Sequence, residues 1–323
     1  MILAGGLSTR LYPLTKTVPK PLVPVLGEPN IAHVIRYLKR FGITEIATNV
    51  FYFADAIRAA LGDGSRFGVR LTYLDEPSLS GSAGAVKLMQ PFLVESDPFV
   101  VVGCDDITNL DLDAQIGFHR ERKAIATIGL VERDDVREYG VVVVNGEGKV
   151  VGFQEKPQPG EERSHFVNTG IYVFSPLIFE RIPANSVYDF GKQVFPRLQQ
   201  DGAAFYGFTA EDAYWCDIGT PAEYRRVTRD LLAGTFSLPE THVGGDVWTG
   251  RGARVAPDAV IVGPSVIGDG VVVESGARIE RSILWQEAVV ERGAVVAGSI
   301  VGSRYRVAAG ARLDNAIVGN DEP

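Results

Sequence analysis

An aliphatic residue recurs at every sixth position in the C-terminal third of the chain, and this period constrains the fold more than any other feature of the sequence. Two runs carry it, separated by one shift of register: Val255, Ile261, Ile267, Val273 and Ile279, then Ile283, Val289, Val295, Val301, Val307 and Leu313. A period of six fits neither an α-helix nor a simple strand. It is typical of the hexapeptide β-helix, in which each side of a triangular coil contributes one inward aliphatic side chain. The repeats therefore predict a left-handed parallel β-helix over residues 246–323, after a linker over residues 233–245 that is rich in Gly, Thr, Ser and Pro.

Residues 1–232 show a different pattern, in which apolar strand-like runs alternate with helix-like periodicity. Such alternation predicts an α/β domain with a mostly parallel sheet covered by helices on both faces. In sheets of this kind ligands bind beyond the carboxyl ends of the strands, so we expect the loops after Ala4, Leu74 and Val102 to border one cleft. An exposed helix is also predicted around His119, which we expect to lie at the surface.

The segment over residues 3–22 joins a short apolar strand to a loop that is rich in glycine, proline and basic residues. Gly5 and Gly6 end the strand and let the backbone pass close to a ligand, so that successive N–H groups can face phosphate oxygens. Arg10 and Lys20 add positive charge for a polyphosphate, Arg10 through a planar fork and Lys20 as a point charge. The segment is neither a Walker A loop nor G-x-G-x-x-G. It predicts a phosphate-binding loop, and the alternative is a structural strand and turn with solvated basic side chains.

The overall composition argues against several other classes of protein. Hydrophobic residues make up 46% and charged residues 22% of the 323 residues, as in ordinary soluble proteins. The net charge of −8 argues against nucleic-acid and anionic-membrane partners, and no apolar run approaches the roughly 20 residues needed to span a bilayer. We therefore expect a cytoplasmic protein. Its two cysteines, Cys104 and Cys216, offer neither a disulfide framework nor a zinc site, and we expect both in the core.

The N-terminal loop resembles the signature of the sugar-1-phosphate nucleotidyltransferases, or NDP-sugar pyrophosphorylases. Their pattern L-A-G-G-x-G-T-R-L-x-P-L-T…P-K-P matches most of residues 3–21. The chain departs from it at Ser8, where the family usually has glycine. A Cβ restricts positive φ, so Ser8 must adopt an ordinary conformation or carry strain. The family usually has a few residues before this strand, so we expect the true start to lie upstream of Met1.

A second resemblance concerns a run of small residues, Gly81-Ser82-Ala83-Gly84-Ala85, which is similar to the family's G-T-A-G-A. From the residues alone, this run fits either a base that lies close to the backbone or a tightly packed helix start. The resemblance implies a nucleotide-binding role, and the residues assigned to the nucleotide are Leu3, Gly5, Gly6, Gly81 and Ser82.

Two aspartates are implied as ligands of Mg²⁺. The strand that ends in Gly103-Cys104-Asp105-Asp106 is similar to the family's strand-G-D, and aligning the residues that follow places Asp105 on the metal-binding aspartate. Asp106 is the weaker candidate for the same position. Asp217 resembles the second metal carboxylate, in W-x-D-I-G-T-P. Mg²⁺ prefers one or two carboxylates together with phosphate oxygens, whereas the alternative for Asp105 and Asp106 is a solvated turn.

A third group of segments is implied to bind the sugar phosphate. Gln154-Glu155-Lys156-Pro157 resembles F-x-E-K-P, in which Glu binds sugar hydroxyls and Lys the phosphate, and the alternative is an exposed ion pair. Neighbouring residues of a strand face opposite sides, so the strand must bend near Pro157 if both are to face one ligand. Residues 166–172 match V-N-T-G-I-Y, a wall of the sugar site, although by themselves they predict only a strand with a glycine bulge. The candidate sugar contacts are Tyr139, Gly140, Glu155, Asn168 and Thr169.

The resemblance as a whole implies that an NTP and a sugar 1-phosphate are converted to an NDP-sugar and pyrophosphate with Mg²⁺, with Arg10, Lys20 and Lys156 as the catalytic cations. Residues 19–24 look most like those of mannose-1-phosphate guanylyltransferases, whereas relatives that make dTDP-glucose or UDP-glucose tend to carry Gln or Glu at the position of Pro21. The resemblance favours GTP and mannose 1-phosphate over glucose 1-phosphate with UTP or dTTP. A catalytically silent paralogue is an alternative, but all the phosphate and metal positions are filled. Because the last histidine, His242, precedes the repeats, a structural or oligomer-forming β-helix is favoured over an acyltransferase, and we expect a homo-oligomer.

Overall fold

The structure is a computed structural model that describes residues 1–210, 212–238, 241 and 243–320. Positions 239, 240 and 242 of the predicted linker, and the last three positions of the predicted β-helix, lie outside the described residues. The chain forms two compact units. The first comprises residues 1–6 and 34–216, and the second comprises residues 7–33 and 217–323. The second unit therefore contains both the basic loop near the N-terminus and the C-terminal repeats.

The strands and helices before the repeats follow in chain order. The strands are β1 (Ile2–Leu3), β2 (Pro24–Val25), β3 (Glu28–Pro29), β4 (Glu45–Val50), β5 (Arg70–Asp75), β6 (Phe99–Gly103), β7 (Asp106–Thr108), β8 (Ala126–Glu132), β9 (Gly140–Val144), β10 (Val150–Glu155), β11 (Phe166–Phe174), β12 (Phe205–Thr209) and β13 (Trp215–Asp217). The α-helices are α1 (Asn30–Arg40), α2 (Ala54–Leu61), α3 (Gly81–Leu88), α4 (Gln90–Leu93), α5 (Leu112–Glu121), α6 (Phe195–Gln200) and α7 (Pro221–Leu232). Short 3-10 or π turns cover Thr9–Leu11, Leu14–Lys16, Lys20–Leu22, Ser65–Phe67, Pro176–Arg181 and Phe190–Val194.

The first unit is built on a nine-stranded sheet with the order β10-β9-β11-β6-β1-β4-β5, to which β8 is added beside β11, and β12 beside β8. Strands β6, β1, β4 and β5 run parallel, as expected for strands joined through helices. Strand β11 runs antiparallel to β6, β8 and β9, and β9 and β10 form a hairpin. The carboxyl ends of β6, β1, β4 and β5 therefore meet at one edge of the sheet, which is where ligands are expected.

The helix α5 packs against this sheet more closely than its sequence suggests. His119 is 3% exposed, and its Nδ1 lies 2.9 Å from Oγ1 of Thr127 on β8. Burial lowers the pKa of His119 to about 4. The expectation of a surface histidine is therefore wrong, because the face of α5 that carries His119 covers the sheet instead of facing solvent.

The C-terminal repeats form three parallel sheets, one for each side of a β-helix. The strands are β14 (Val247–Thr249), β15 (Arg254–Val255), β16 (Val260–Val262), β17 (Ser265–Ile267), β18 (Val272–Val273), β19 (Arg278–Glu280), β20 (Ile283–Leu284), β21 (Val289–Val290), β22 (Val295–Ala297), β23 (Ile300–Val301), β24 (Arg306–Val307), β25 (Arg312–Asp314) and β26 (Ile317–Val318). The sheets have the orders β14-β17-β20-β23-β26, β15-β18-β21-β24 and β16-β19-β22-β25. The predicted architecture, an α/β domain followed by a parallel β-helix, is confirmed.

The register of the repeats differs from the prediction in one coil. Ile267 pairs with Leu284 and Leu284 with Val301, so each of these coils spans 17 residues. In a coil of 17 residues, the inward-facing residues of successive sides are six, six and five residues apart. The inward-facing residue that follows Ile279 is therefore Leu284, five residues later. Leu284, Val290 and Val296 belong to the cluster of side chains buried inside the β-helix, whereas Ile283, Val289 and Val295 do not. The predicted positions Ile283, Val289 and Val295 are therefore wrong by one residue.

No helix within the described ranges is both long enough and apolar enough to cross a membrane.

Candidate functional site

Two buried polar residues, Asn49 and Glu76, fix the loop that follows β1. The side chain of Asn49 accepts a hydrogen bond from the Ala4 amide at 2.9 Å and donates one to Oε1 of Glu76 at 2.5 Å. The other oxygen of Glu76 accepts a hydrogen bond from the Ser80 amide at 3.0 Å. A Cβ on Gly5 would lie 2.6 Å from the Asn49 side chain and 2.9 Å from Glu76, so only glycine fits there. This network ties the carboxyl ends of β1, β4 and β5 together.

The small-residue run at the start of α3 is explained by close packing within the first unit. The amides of Ala83 and Gly84 both donate to the carbonyl of Tyr188, each at 3.0 Å. Gly81 has a φ of +78°, and a Cβ there would collide with the same carbonyl oxygen. The hydroxyl of Ser82 donates to Oδ2 of Asp189 at 2.8 Å. Of the two alternatives for this run, a tightly packed helix start accounts for its glycines, while nucleotide binding by Gly81 and Ser82 stays a prediction.

The two aspartates after β6 have different surroundings. Asp106 is 5% exposed, and its carboxylate accepts hydrogen bonds from the Gly103 amide at 2.9 Å and from Nε1 of Trp215 at 3.0 Å. Asp105 is more exposed, and its Oδ1 would lie 2.8 Å from a Cβ on Gly103, so the glycine leaves room for this carboxylate. Cys104 and Cys216 are both buried, as expected.

The Glu155-Lys156 pair lies where β10 ends. Lys156 has a φ of +47°, so the backbone turns at this residue, next to Pro157, as it must if Glu155 and Lys156 are to face one ligand. Lys156 forms an exposed ion pair with Glu138 at 3.8 Å. Burial, together with the nearby Asp189 carboxylate, raises the pKa of Glu155. A Cβ on Gly140 or Gly191 would lie 3.3 or 3.1 Å from Oε2 of Glu155, so these glycines leave room for the carboxylate.

The remaining sugar candidates lie on β11 and next to β9. Gly170 has a φ of +79°, and the pairing of β11 with β8 shifts register around it, which confirms the predicted glycine bulge. Asn168 donates to the hydroxyl of Tyr172 at 3.1 Å. Thr169 is 1% exposed and donates to the Gly129 carbonyl at 2.8 Å. The ring of Tyr139 packs edge-on against Trp215, with 5.5 Å between ring centroids.

The basic loop in the second unit is a series of short 3-10 turns. Ser8 adopts the left-handed conformation at φ 55°, the strained alternative of the two, and its carbonyl accepts a hydrogen bond from the Thr15 hydroxyl at 2.8 Å. Lys20 begins the turn that is closed by the hydrogen bond from the Leu22 amide to the Pro19 carbonyl at 2.8 Å. The candidate cation Lys20 therefore lies on a hydrogen-bonded turn.

Arg10 and Asp217 approach the same glycine in the second unit. A Cβ on Gly219 would lie 3.0 Å from Nη2 of Arg10 and would press directly on the Asp217 carboxylate. Helix α7 begins two residues after this glycine, and Thr220 caps it by accepting a hydrogen bond from the Glu223 amide at 3.2 Å. The motif around Gly219 thus positions one predicted metal carboxylate and one predicted phosphate-binding cation.

The predicted site residues are distributed over both units. Arg10, Lys20 and Asp217 belong to the second unit, and the other predicted residues belong to the first. Among the residues that the structure describes, no group of three or more His, Cys, Asp or Glu side chains could hold a metal ion. Asp105 and Asp217 nevertheless suit Mg²⁺ by their chemistry, because it needs only one or two carboxylates when substrate phosphates supply further oxygens. Sequence reasoning missed Asn49, Glu76 and Asp189, whose hydrogen bonds reach residues that are far away along the sequence.

Comparison with known proteins extends these observations. Residues 1–234 match the family model described as nucleotidyl transferase, and residues 243–322 match the one described as GMPPB C-terminal domain. A UTP–glucose-1-phosphate uridylyltransferase from Synechocystis sp. is 36% identical over 322 residues, covering 88% of this chain and 82% of the relative. A mannose-1-phosphate guanylyltransferase from Mycobacterium tuberculosis is 32% identical over 287 residues, covering 88% and 79%. A crystal structure of a candidate glucose-1-phosphate thymidylyltransferase from Bacillus anthracis matches with a TM-score of 0.63 and 29% identity, covering 70% of this chain and 91% of that one.

Proposed function

Since the chain belongs to the nucleotidyl transferase family and is a sugar-1-phosphate nucleotidyltransferase, we propose that its substrates are GTP and mannose 1-phosphate and its products GDP-mannose and pyrophosphate. The observation that carries this choice is the match of residues 243–322 to the GMPPB C-terminal domain. The proline after Lys20 supports it, because it cannot make the side-chain contact to a base that Gln or Glu would make at this position in relatives that produce dTDP-glucose or UDP-glucose.

The reaction depends on the positioning of the two substrates more than on a general base. A phosphate oxygen of the sugar 1-phosphate attacks the α-phosphorus of the NTP, and the new P–O bond forms as the bond to the bridging oxygen of the β-phosphate breaks. Pyrophosphate leaves with that electron pair. A sugar phosphate is already a competent nucleophile, so catalysis rests on alignment and on stabilisation of the developing charge.

The cations and carboxylates divide this work between the two substrates. Arg10 and Lys20 hold the triphosphate and the charge that builds on pyrophosphate, and Lys156 neutralises the incoming sugar phosphate while Glu155 binds sugar hydroxyls. Asp105 and Asp217 would hold Mg²⁺, which neutralises phosphate charge when it is bound. The greater exposure of Asp105, compared with the buried Asp106, supports Asp105 as the ligand of the pair.

Uridylyl transfer to glucose 1-phosphate is the second candidate, favoured by the 36% identity to the Synechocystis relative. Base choice would rest on polar groups other than Pro21, such as backbone groups near Gly5 and Gly81. A site that hydrogen-bonds one base edge rejects the wrong base strongly, because its own polar groups would be left unpaired. The two candidates therefore differ in a quantity that can be measured.

The test is a grid of NTPs against sugar 1-phosphates, scored by pyrophosphate release at matched Mg²⁺. We expect GTP with mannose 1-phosphate to give the highest kcat/KM. A tenfold higher kcat/KM for UTP or dTTP with glucose 1-phosphate would overturn the choice of substrates in favour of the second candidate. Exposed Lys16 lies in the same loop as Lys20 and provides a matched control: Lys20→Ala should lower kcat/KM for the best NTP, and Lys16→Ala should leave it within about twofold, since exposed substitutions of this kind change little.

A further inference from the structure

We propose that the β-helix positions the phosphate-binding loop, through a hydrogen-bond chain from Trp285 to Tyr224 to the backbone of Pro24. Nε1 of Trp285 donates to the hydroxyl of Tyr224 at 3.0 Å, and that hydroxyl donates to the Pro24 carbonyl at 2.5 Å. All three residues belong to the second unit, and both aromatic side chains are 1% exposed. Pro24 lies four residues after Lys20, so the chain fixes the backbone close to the cation.

Two further contacts hold the same loop against the repeats. Leu14 lies over Gly302 and Gly319, where a Cβ would approach it to 3.3 and 3.7 Å. The Gly27 turn lies against the ring of Trp248 on β14, with no room for a Cβ. Along the sequence, Lys20 therefore lies between the Leu14 contact and the Pro24 contact. Gly27 is needed for this close approach, and Gly302 leaves only tight room for a Cβ beside Leu14.

The hydrogen-bonded groups are buried beside a cavity of about 380 Å³, and Leu22, Pro24, Tyr224 and Trp285 are among the residues that line it. The Tyr224 hydroxyl must find partners because it is buried, and burial raises the pKa of Tyr224. Removal of this hydroxyl therefore takes a partner away from both the Trp285 indole N–H and the Pro24 carbonyl.

This inference rests on the proposed function in one respect, namely that Lys20 acts on the triphosphate. Loss of the chain should then impair handling of the NTP and spare the sugar 1-phosphate, whose predicted contacts belong to the first unit. A general loss of stability would affect both substrates to the same extent. The two KM values therefore separate positioning from a merely structural role.

The test uses the full chain with three substitutions. Tyr224→Phe removes both hydrogen bonds, and Trp285→Phe removes only the bond between Trp285 and Tyr224. Val296→Ala is the control, because Val296 is buried inside the β-helix on another of its three sheets. Amide hydrogen exchange is measured for peptides that cover residues 20–27, which include the Leu22 and Val23 amides bonded within the turn. Steady-state kinetics give KM for each substrate.

We expect exchange over residues 20–27 to rise about threefold to tenfold in Tyr224→Phe, which is the range for the one net hydrogen bond that reaches Pro24, and less in Trp285→Phe. KM for the NTP should rise by a similar factor, with KM for the sugar 1-phosphate within twofold. Val296→Ala should raise exchange within the repeats and leave residues 20–27 as in the wild type.

Unchanged exchange over residues 20–27 in both aromatic variants would overturn the inference, and so would an equal rise of both KM values. An equal rise of loop exchange in Val296→Ala would also overturn it. The exchange experiment needs no turnover. If the wild type released no pyrophosphate with any substrate pair while loop exchange rose as expected, the positioning role would be supported and the proposed function would fail.

Discussion

Nε1 of Trp215 donates a hydrogen bond of 3.0 Å to Oδ1 of Asp106, and both side chains are buried. The other carboxylate oxygen accepts the Gly103 amide, so Asp106 joins the turn after β6 to the strand that ends at Asp217. The sequence places the two predicted metal carboxylates next to the partners of this bond, Asp105 beside Asp106 and Asp217 two residues after Trp215. The bond is a structural link between the two motifs.

Asp106→Ala should therefore cost stability, because it leaves the Trp215 indole and the Gly103 amide without their acceptor. We expect the free energy of unfolding, measured by urea denaturation, to fall by about 1–3 kcal/mol. Asp134→Ala is the matched control on an exposed aspartate and should change it by less than about 0.5 kcal/mol. Equal effects of the two changes would contradict a structural role for Asp106.

The register of the β-helix can be tested with two neighbouring valines. Val290 is fully buried inside the coil, whereas Val289 is half-buried and points outward. Val290→Ala should lower the free energy of unfolding by about 2 kcal/mol through lost burial and a cavity, and Val289→Ala by clearly less. A larger effect at Val289 would restore the register predicted from the six-residue period.

His119 should make the stability of the first unit depend on pH. Burial lowers its pKa to about 4 in the folded state, below the usual value of 6.5, so the unfolded state binds the proton more readily. The contribution of the neutral imidazole is complete above about pH 6.5 and is lost as the pH falls toward 4. His119→Gln should reduce the difference in free energy of unfolding between pH 7 and pH 4.5, while His165→Gln, on an exposed histidine, should leave that difference as in the wild type. Identical pH profiles for the wild type and His119→Gln would contradict this assignment.

Arg10→Ala and Lys156→Ala should lower kcat/KM for different substrates, because the two cations are proposed to bind different substrates. Arg10 is expected to act on the triphosphate and Lys156 on the sugar phosphate. The first change should lower kcat/KM chiefly for the NTP, and the second chiefly for the sugar 1-phosphate, when each substrate is varied separately. Damage to the same substrate in both variants would show that the two cations share one subsite.

Patterns within short stretches of sequence predicted the architecture well, because the spacing of apolar residues reflects which side of each element is buried. The six-residue period indicated the β-helix, and the alternation of strands and helices indicated the parallel half of the sheet. The register inside the β-helix was less accessible, because aliphatic residues occupy both Ile283 and Leu284, and only the stacking of 17-residue coils selects between them. Pattern alone therefore gave the fold and left its register ambiguous.

Contacts between distant segments could not be predicted from the sequence. Gly81 is a glycine because the Tyr188 carbonyl lies against it, and that partner is more than one hundred residues away. Glu76 is buried because Asn49 and Ser80 satisfy its carboxylate, although an isolated glutamate after a strand normally predicts a solvated loop. The polar residues that hold the candidate site in place were missed for this reason.

The central claim is that strand-end carboxylates and basic side chains of this chain carry a metal-dependent nucleotidyl transfer. Its most direct test is kcat with the best substrate pair for Asp105→Asn and Asp217→Asn, compared with Asp113→Asn on an exposed aspartate of α5. We expect the first two to lose about 100-fold or more, the scale for removing one preorganised electrostatic element, while Asp113→Asn stays near the wild type and excess EDTA abolishes turnover of the wild type. Near-wild-type rates in both Asp105→Asn and Asp217→Asn, or full activity in excess EDTA, would contradict the account.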